Sequence, residues 1–429
     1  MMGDGEQTVK VSFAHGWDLA SRTVVHPLSR SEAEARDRAG QPYVMVHRLE
    51  GHTSPVEVHL VAWGDSHVGA WVYDDQGRRT MEVDWRLLEP GRLFLRHVGQ
   101  WRYDTEEQAE FAPEAGRSYV DLFPDGKGSR VSRPKGDSGP SHHTPANIPE
   151  EERWHAREAF GVRGVGQLLL SQPLPSGQQP EFVDATGSGT DAWGAHRAAD
   201  GRPSLWRPPR PARRAHLDEL FEPGTRIATS VEPEMTVSAI LDIATLRLPS
   251  GRLVVADPLT EGRGAGRELS ERIPPGEYRV QAAVVAFESE YEDVRTAVKE
   301  EVAVRLLLAE EPAASWEPAL AEGDDVRLLR ENEIYGFDTD GAAGAFADAS
   351  GWEGLADRYR RYLVEQEDDA GETVSDGYVR TTDRATGGDL VSFCTDGDGT
   401  HPVWLGRAST GKPVSVVVVV GRLPDLRPL

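Results

Sequence analysis

A single cysteine, Cys394, in 429 residues leaves the chain no intrachain disulfide to close, and no Cys/His spacing suits a closed zinc site. A reducing cytoplasm is the compartment that fits. Long apolar runs are missing as well. The β-branched run Val416–Val420 has five residues, far from the ~20 that span a bilayer. No membrane span is expected, and the segment Met1–Asp18, with Asp4, Glu6 and Lys10 among scattered apolar residues, lacks the apolar core of a signal peptide. Positive charge is scarce: 47 Lys and Arg stand against 71 Asp and Glu, a net of −24. The deficit is uneven. Met1–Ala215 holds 26 basic and 30 acidic residues, a net of −4, while the rest of the chain holds 21 and 41, a net of −20. Such a surface repels phosphate backbones and anionic lipid, so nucleic acid and membrane are excluded as partners of the C-terminal half, whereas a basic protein is drawn toward it.

Catalytic motifs are equally sparse. There is no Gly-x-Ser-x-Gly nucleophile elbow. Gly262-Arg263-Gly264-Ala265-Gly266 lacks the following lysine of a phosphate loop and reads as a surface loop. Nothing in the residues calls for a cofactor.

What is present is turn chemistry and strand periodicity. The 44 glycines and 29 prolines point to many turns rather than long helices. From Pro42 onward apolar residues alternate with polar ones. Val56, Val58 and Leu60 alternate with Glu57 and His59, and Met81, Val83 and Trp85 with Glu82 and Asp84, each run reading as a half-buried strand. Asp74–Gly77, Glu89-Pro90-Gly91 and Pro124-Asp125-Gly126 mark turns, so the simplest topology for residues 1–132 is an antiparallel meander, with Trp63, Trp71, Trp85 and Trp101 filling its core.

Residues 133–215 read as a loop and Pro/Arg-rich linker, partly ordered. Arg133–Glu152 has almost no apolar content and holds the adjacent pair His142-His143, without a third ligand nearby. A short helix is expected around Trp154–Phe160. The prolines of Arg202–Pro211 favour an extended polyproline strap tethered on the acidic domain, with a docking peptide as the alternative.

Residues 216–429 form a β-rich domain with one or two helices, so the fold class is mainly β with minor α (α+β). Arg252–Ala256, Tyr278–Val284 and Val302–Ala309 are strands, and Glu288–Glu301 is a charged loop or short helix. Ser350 and Glu353 match a capping box ahead of Trp352, Leu355, Tyr359 and Leu363 at helical spacing. Val414–Val420 is so β-branched that it must be a covered strand.

The order of Leu248-Pro249-Ser250-Gly251-Arg252 through Asp257-Pro258-Leu259, Pro274-Pro275-Gly276-Glu277-Tyr278, Trp316-Glu317, Gly336-Phe337-Asp338-Thr339-Asp340-Gly341 and Asp396-Gly397-Asp398-Gly399-Thr400-His401-Pro402 resembles the DUF4241 family. The resemblance covers His216–Gly421 and implies a bacterial protein and a compact domain, with no established chemistry to carry over. The chain departs from the pattern at Ala345, where cysteine is common, and at His401, where an aromatic is usual.

The acidic turns supply the one candidate site: Asp257, Asp338, Asp340, Asp348, Asp396, Asp398 and His401. Asp-x-Asp turns bring carboxylates together as hard divalent cations require, yet Asp and Gly also make tight turns for local reasons, and Asp396–Gly399 is only part of a calcium loop. No metal is assigned. Two functions follow: a non-enzymatic binding protein, of which a toxin-neutralising, immunity-type partner is one form, or a metal-dependent hydrolase using the aspartates. Whether the chain is an enzyme stays open.

Overall fold

Two units, Met1–Pro209 and Arg210–Leu429, divide the chain. The computed structural model describes residues 9–49, 54–135, 139–157, 159–160, 181–183, 204–213, 217–228, 234–260, 266–291, 294–421 and 427–428. These are mostly strand, in antiparallel sheets, with three α-helices among the described residues. None of those helices is long and apolar enough to cross a membrane.

The N-terminal unit builds β1 (Val9–Asp18), β2 (Thr23–Leu28), α1 (Arg30–Arg38), β3 (Tyr43–Leu49), β4 (Glu57–Ala62), β5 (His67–Tyr73), β6 (Arg79–Glu89), β7 (Arg92–Arg102), β8 (Gly116–Leu122), β9 (Gly128–Arg133), β10 (Ser141–His143), α2 (Glu150–Arg153), β11 (Trp154–Ala156) and β12 (Glu181–Phe182). Strands β3 to β10 pair in chain order, the meander that the turn signals imply. Apolar residues lie on both of its faces: Val61, Val68, Val83 and Trp85 pack on one side, and Trp17, Val44, Val58 and Leu60 on the other.

That double coverage corrects the half-buried reading of β4, all six residues of which are buried. Glu57 and His59 are 0% and 1% exposed, and one carboxylate oxygen of Glu57 contacts the Nε2 of His59. The tryptophans also divide. Trp85 is a core residue, Trp63 donates its indole N–H to Asp37, and Trp71 lies on the opposite face with Trp206 stacked on it.

Part of the region read as linker is sheet. Strand β10 extends β9, and His142 and His143, being consecutive on it, point to opposite faces and cannot share an ion. The helix expected at Trp154–Phe160 is replaced at its start by β11, which pairs with Leu93 and Phe94 of β7. An unpredicted capping box holds α1: Glu32 N–H donates to the Ser29 hydroxyl, and Ser29 N–H to the Glu32 carboxylate.

The C-terminal unit is a sandwich of two sheets. One joins β13 (Arg226–Ala228), β14 (Met235–Leu248), β17 (Gly276–Tyr291), β18 (Val294–Leu307), β19 (Ser315–Pro318), β20 (Gly336–Thr339), β25 (Gly399–Arg407), β26 (Pro413–Val419) and β27 (Arg427–Pro428). The other joins β15 (Arg252–Ala256), β16 (Glu268–Arg272), β21 (Ala343–Asp348), β22 (Glu372–Ser375), β23 (Tyr378–Thr382) and β24 (Asp389–Cys394). Leu246, Val280, Leu306, Val416 and Val418 of the first sheet meet Val255, Phe346, Val391 and Phe393 of the second in one buried cluster.

As its β-branching requires, β26 is an inner strand between β18 and β25. Of Glu288–Glu301, expected as a charged loop or short helix, Glu288–Tyr291 and Val294–Glu301 are instead paired strand in β17 and β18, and residues 292–293 lie outside the described residues. The second sheet's outer face is covered by α3 (Trp352–Leu363), which buries Leu355, Ala356 and Tyr359 while Leu363 stays exposed. The expected Ser350–Glu353 capping box does not form. Ser350 belongs to a 3-10 turn, Ala349–Gly351, capped by Asp348, and α3 starts after Gly351 without a side-chain cap.

Candidate functional site

The two ends of the sandwich use their aspartates differently. At one end Asp348 closes β21, fully buried. Its Oδ2 accepts from the Ser250 N–H (2.9 Å) and hydroxyl (2.8 Å), and its Oδ1 from the Ser350 N–H (2.9 Å) and hydroxyl. Nearby Asp389, equally buried, accepts from Arg247 N–H (3.0 Å), from its guanidinium (2.7 and 2.9 Å) and from the Thr382 hydroxyl (2.7 Å). These carboxylates fasten β14 and the Leu248–Arg252 turn to the second sheet, and their acceptor positions are occupied.

Five residues back along β21, at Ala343 and roughly 17 Å away at strand rise, the opposite end gathers the remaining candidates. Asp257 is buried and gives Oδ1 to Leu259 N–H (2.7 Å) and Oδ2 to the Thr339 hydroxyl (2.8 Å) and Asp340 N–H (3.3 Å). Asp338 accepts from Thr400 on the paired strand β25. Thr395 N–H donates to Ala342 O (2.9 Å) and Asp396 N–H to Val420 O (2.8 Å), which draws the 340–342 and 394–399 turns beside the end of β26, where Val420 N–H donates to Val302 O in the middle of β18. His401 stacks on Phe337 with centroids 5.7 Å apart, and one ring nitrogen lies 3.1 Å from Gly397 O. Ala345 is fully buried in the layer under α3.

The structure thus separates Asp348 from the other six candidates and adds residues that no motif marked. Glu301 accepts from the Tyr378 hydroxyl, and Cys394 lies 3.7 Å from Gly377 O, beside Asp376. Glu301 and Tyr378 are 77 positions apart, and nothing local in the sequence links them. Cys394 is exposed at the end of β24. Burial, then the charges of Glu301 and Asp376, push its thiol up, away from the thiolate that a nucleophile needs. Burial and Glu301 raise the Tyr378 hydroxyl in the same sense.

This end displays the carboxylates of Asp338, Asp340, Asp376, Asp396 and Asp398 to solvent, with Glu301 half-buried among them. The converging segments 338–342, 376–377, 394–400 and 420–421 contain no Lys or Arg. Among the described residues no three His, Cys, Asp or Glu side chains gather closely enough to hold a metal ion. Residues 261–265 of the glycine-rich loop lie outside the described residues.

Residues 246–418 match the family model DUF4241, described as a protein of unknown function. The sandwich carries a DUF4241 region. Asp257, Asp338, Asp340, Asp376, Cys394, Asp396, Asp398 and His401 all fall inside it, as does α3. No curated protein and no solved structure matches the chain.

A cleft of about 610 Å³ lies along α3 within the matched region. Its lining mixes Arg252, Arg358 and Arg361 with Glu268, Glu353, Asp357 and Asp383, and Arg252 is already paired with Glu268. Such mixed charge selects no single class of ligand.

Proposed function

We propose that this protein is a non-enzymatic binding protein whose DUF4241 region receives a basic protein partner on its acidic end; toxin neutralisation is the form of such binding in which the partner's activity is blocked. The supporting observation is the convergence there of five exposed carboxylates, in segments free of Lys and Arg. Charge of one sign focused on one end raises encounter rates with a positive surface by roughly 10 to 10³. A lasting complex also needs an apolar or aromatic anchor from the partner side. Binding is favoured over metal-dependent hydrolysis because both Asp257 oxygens and Asp338 already accept internal hydrogen bonds. A bacterial cytoplasm goes with this reading, from the lone cysteine and the family resemblance.

The test is capture of partners from a lysate of the native organism, followed by association kinetics at two ionic strengths. Basic partners whose capture is lost in Asp340→Asn/Asp396→Asn/Asp398→Asn support the proposal. Recovery of acidic partners alone, or stoichiometric Mg²⁺ or Ca²⁺ binding lost in Asp398→Ala, overturns it, the latter in favour of the hydrolase.

A further inference from the structure

The Pro/Arg-rich strap does not begin on the acidic domain. Its first described residues, Ser204–Trp206, lie on the N-terminal unit, at a stretch of β1 that β3 leaves unpaired. Pairing between β1 and β3 runs only from Val9 to Ala14, so the edge of β1 beyond it exposes backbone donors and acceptors. The strap takes that edge. Leu19 N–H donates to Ser204 O (2.8 Å) and Trp206 N–H to Trp17 O (2.8 Å), on either side of an antiparallel Asp18–Leu205 bridge.

Two glycines shape the surface beneath. A Cβ on Gly16 would meet the Leu205 side chain at 3.0 Å, and one on Gly69 would meet the Trp206 ring at 2.7 Å and the His67 ring at 2.9 Å. The Trp206 ring lies flat on Trp71, with centroids 3.8 Å apart and planes 16° from parallel, while Arg79 covers Trp71 at 4.2 Å. Trp206 also packs on the buried cluster of Trp17, Val44, Val46, Val58, Leu60 and Tyr73.

This is the anatomy of a bound peptide: a short strand addition, one ring in a glycine-floored slot, and Pro208, Pro209 and Pro211 behind it to lower the entropy of the bound form. The contact is also small enough to open. It is an isolated bridge rather than a ladder, and Leu205 remains 37% exposed.

We propose that the Gly16–Gly69–Trp71 surface is a recognition groove for a Leu-Trp segment followed by polyproline, filled in this chain by its own Ser204–Trp206. The strap is then a releasable cis ligand, and any competing segment of the same chemistry must displace it. This reading is independent of the acidic end.

The experiment uses the full chain and a synthetic capped peptide, Ser-Leu-Trp-Arg-Pro-Pro-Arg-Pro. Calorimetric titration of Trp206→Ala should show binding at least about tenfold tighter than wild type, because the cis occupant reduces apparent affinity by the fraction of time it is docked. A peptide with alanine for tryptophan should not bind. A second measurement needs no variant: in excess peptide, hydrogen exchange of the wild-type Trp206 amide should quicken while that of Leu19 stays slow, since the incoming peptide replaces the Ser204 carbonyl. Equal affinity for wild type and Trp206→Ala overturns the proposal. So does absence of binding to a Trp206→Ala chain whose circular dichroism is native, or Trp206 exchange unmoved by peptide.

Discussion

A buried carboxylate with four donors and an exposed one with none are the same residue type on different tasks, and the tasks can be told apart by substitution. Asp348→Ala should cost about 3 kcal/mol in urea or guanidinium unfolding, because it orphans the backbone donors of Ser250 and Ser350 along with their hydroxyls. Asp398→Ala, at an exposed turn, should change stability by less than about 0.5 kcal/mol. Chelators should alter neither value. Cys394 offers a readout of the local field. With its thiol raised by burial and by Glu301 and Asp376, iodoacetamide alkylation should rise with pH later than for a free thiol. Glu301→Gln should move that profile toward lower pH by removing one of the charges.

At the scale of elements, β3 and β5 each carry a buried histidine that makes the N-terminal unit sensitive to acid. Burial lowers His67 to about 4, with Asp84 opposing the shift and Arg86 adding to it. Burial and then His59 lower His47 well below its ordinary value. The Arg86 guanidinium, which can only donate, lies 2.6 Å from His67 Nδ1, so the neutral ring carries its proton on Nε2. Both folded-state values are depressed, so the unfolded chain takes up protons first. Stability is full above pH 7 and falls as pH drops through 6.5, by up to about 1.4 kcal/mol per pH unit for each histidine. For His67 the loss ends near pH 4. Urea midpoints at pH 7.5, 6 and 5 should decrease in that order, with a smaller slope in His67→Gln.

For the whole molecule the governing quantity is where charge is concentrated. The half of the chain from His216 onward carries 41 of the 71 acidic residues, and the carboxylates of Asp338, Asp340, Asp376, Asp396 and Asp398 are exposed at one end of its sandwich. Association with a basic partner should therefore slow steeply as salt rises from 50 to 500 mM while dissociation changes little, since the Debye length falls from about 14 Å to about 4 Å. Stopped-flow rates at the two salts measure this.

Local chemistry was legible where a residue's role depends on its neighbours in the chain. The Val416–Val420 run could only be a covered strand, the turn signals ordered the N-terminal meander, and Leu355 and Tyr359 marked the buried face of α3. What depended on partners far along the chain was not legible. Glu57 and His59 read as a solvent face because alternation reports polarity, whereas their burial comes from apolar layers on both sides of β4. Ser350 and Glu353 matched a capping box, but Asp348, held by Ser250 from 98 positions away, took Ser350 into a 3-10 turn. The seven candidate site residues were chosen by type. Only the pairing of β15, β20, β21, β24 and β25 sent Asp348 to one end of the sandwich and the other six to the opposite end, beside Glu301, Asp376 and Cys394. Composition thus determined a β-rich, acidic chain with one free thiol, whereas the register of paired strands, set by contacts between segments tens of residues apart, decided which carboxylates hold the fold and which face solvent.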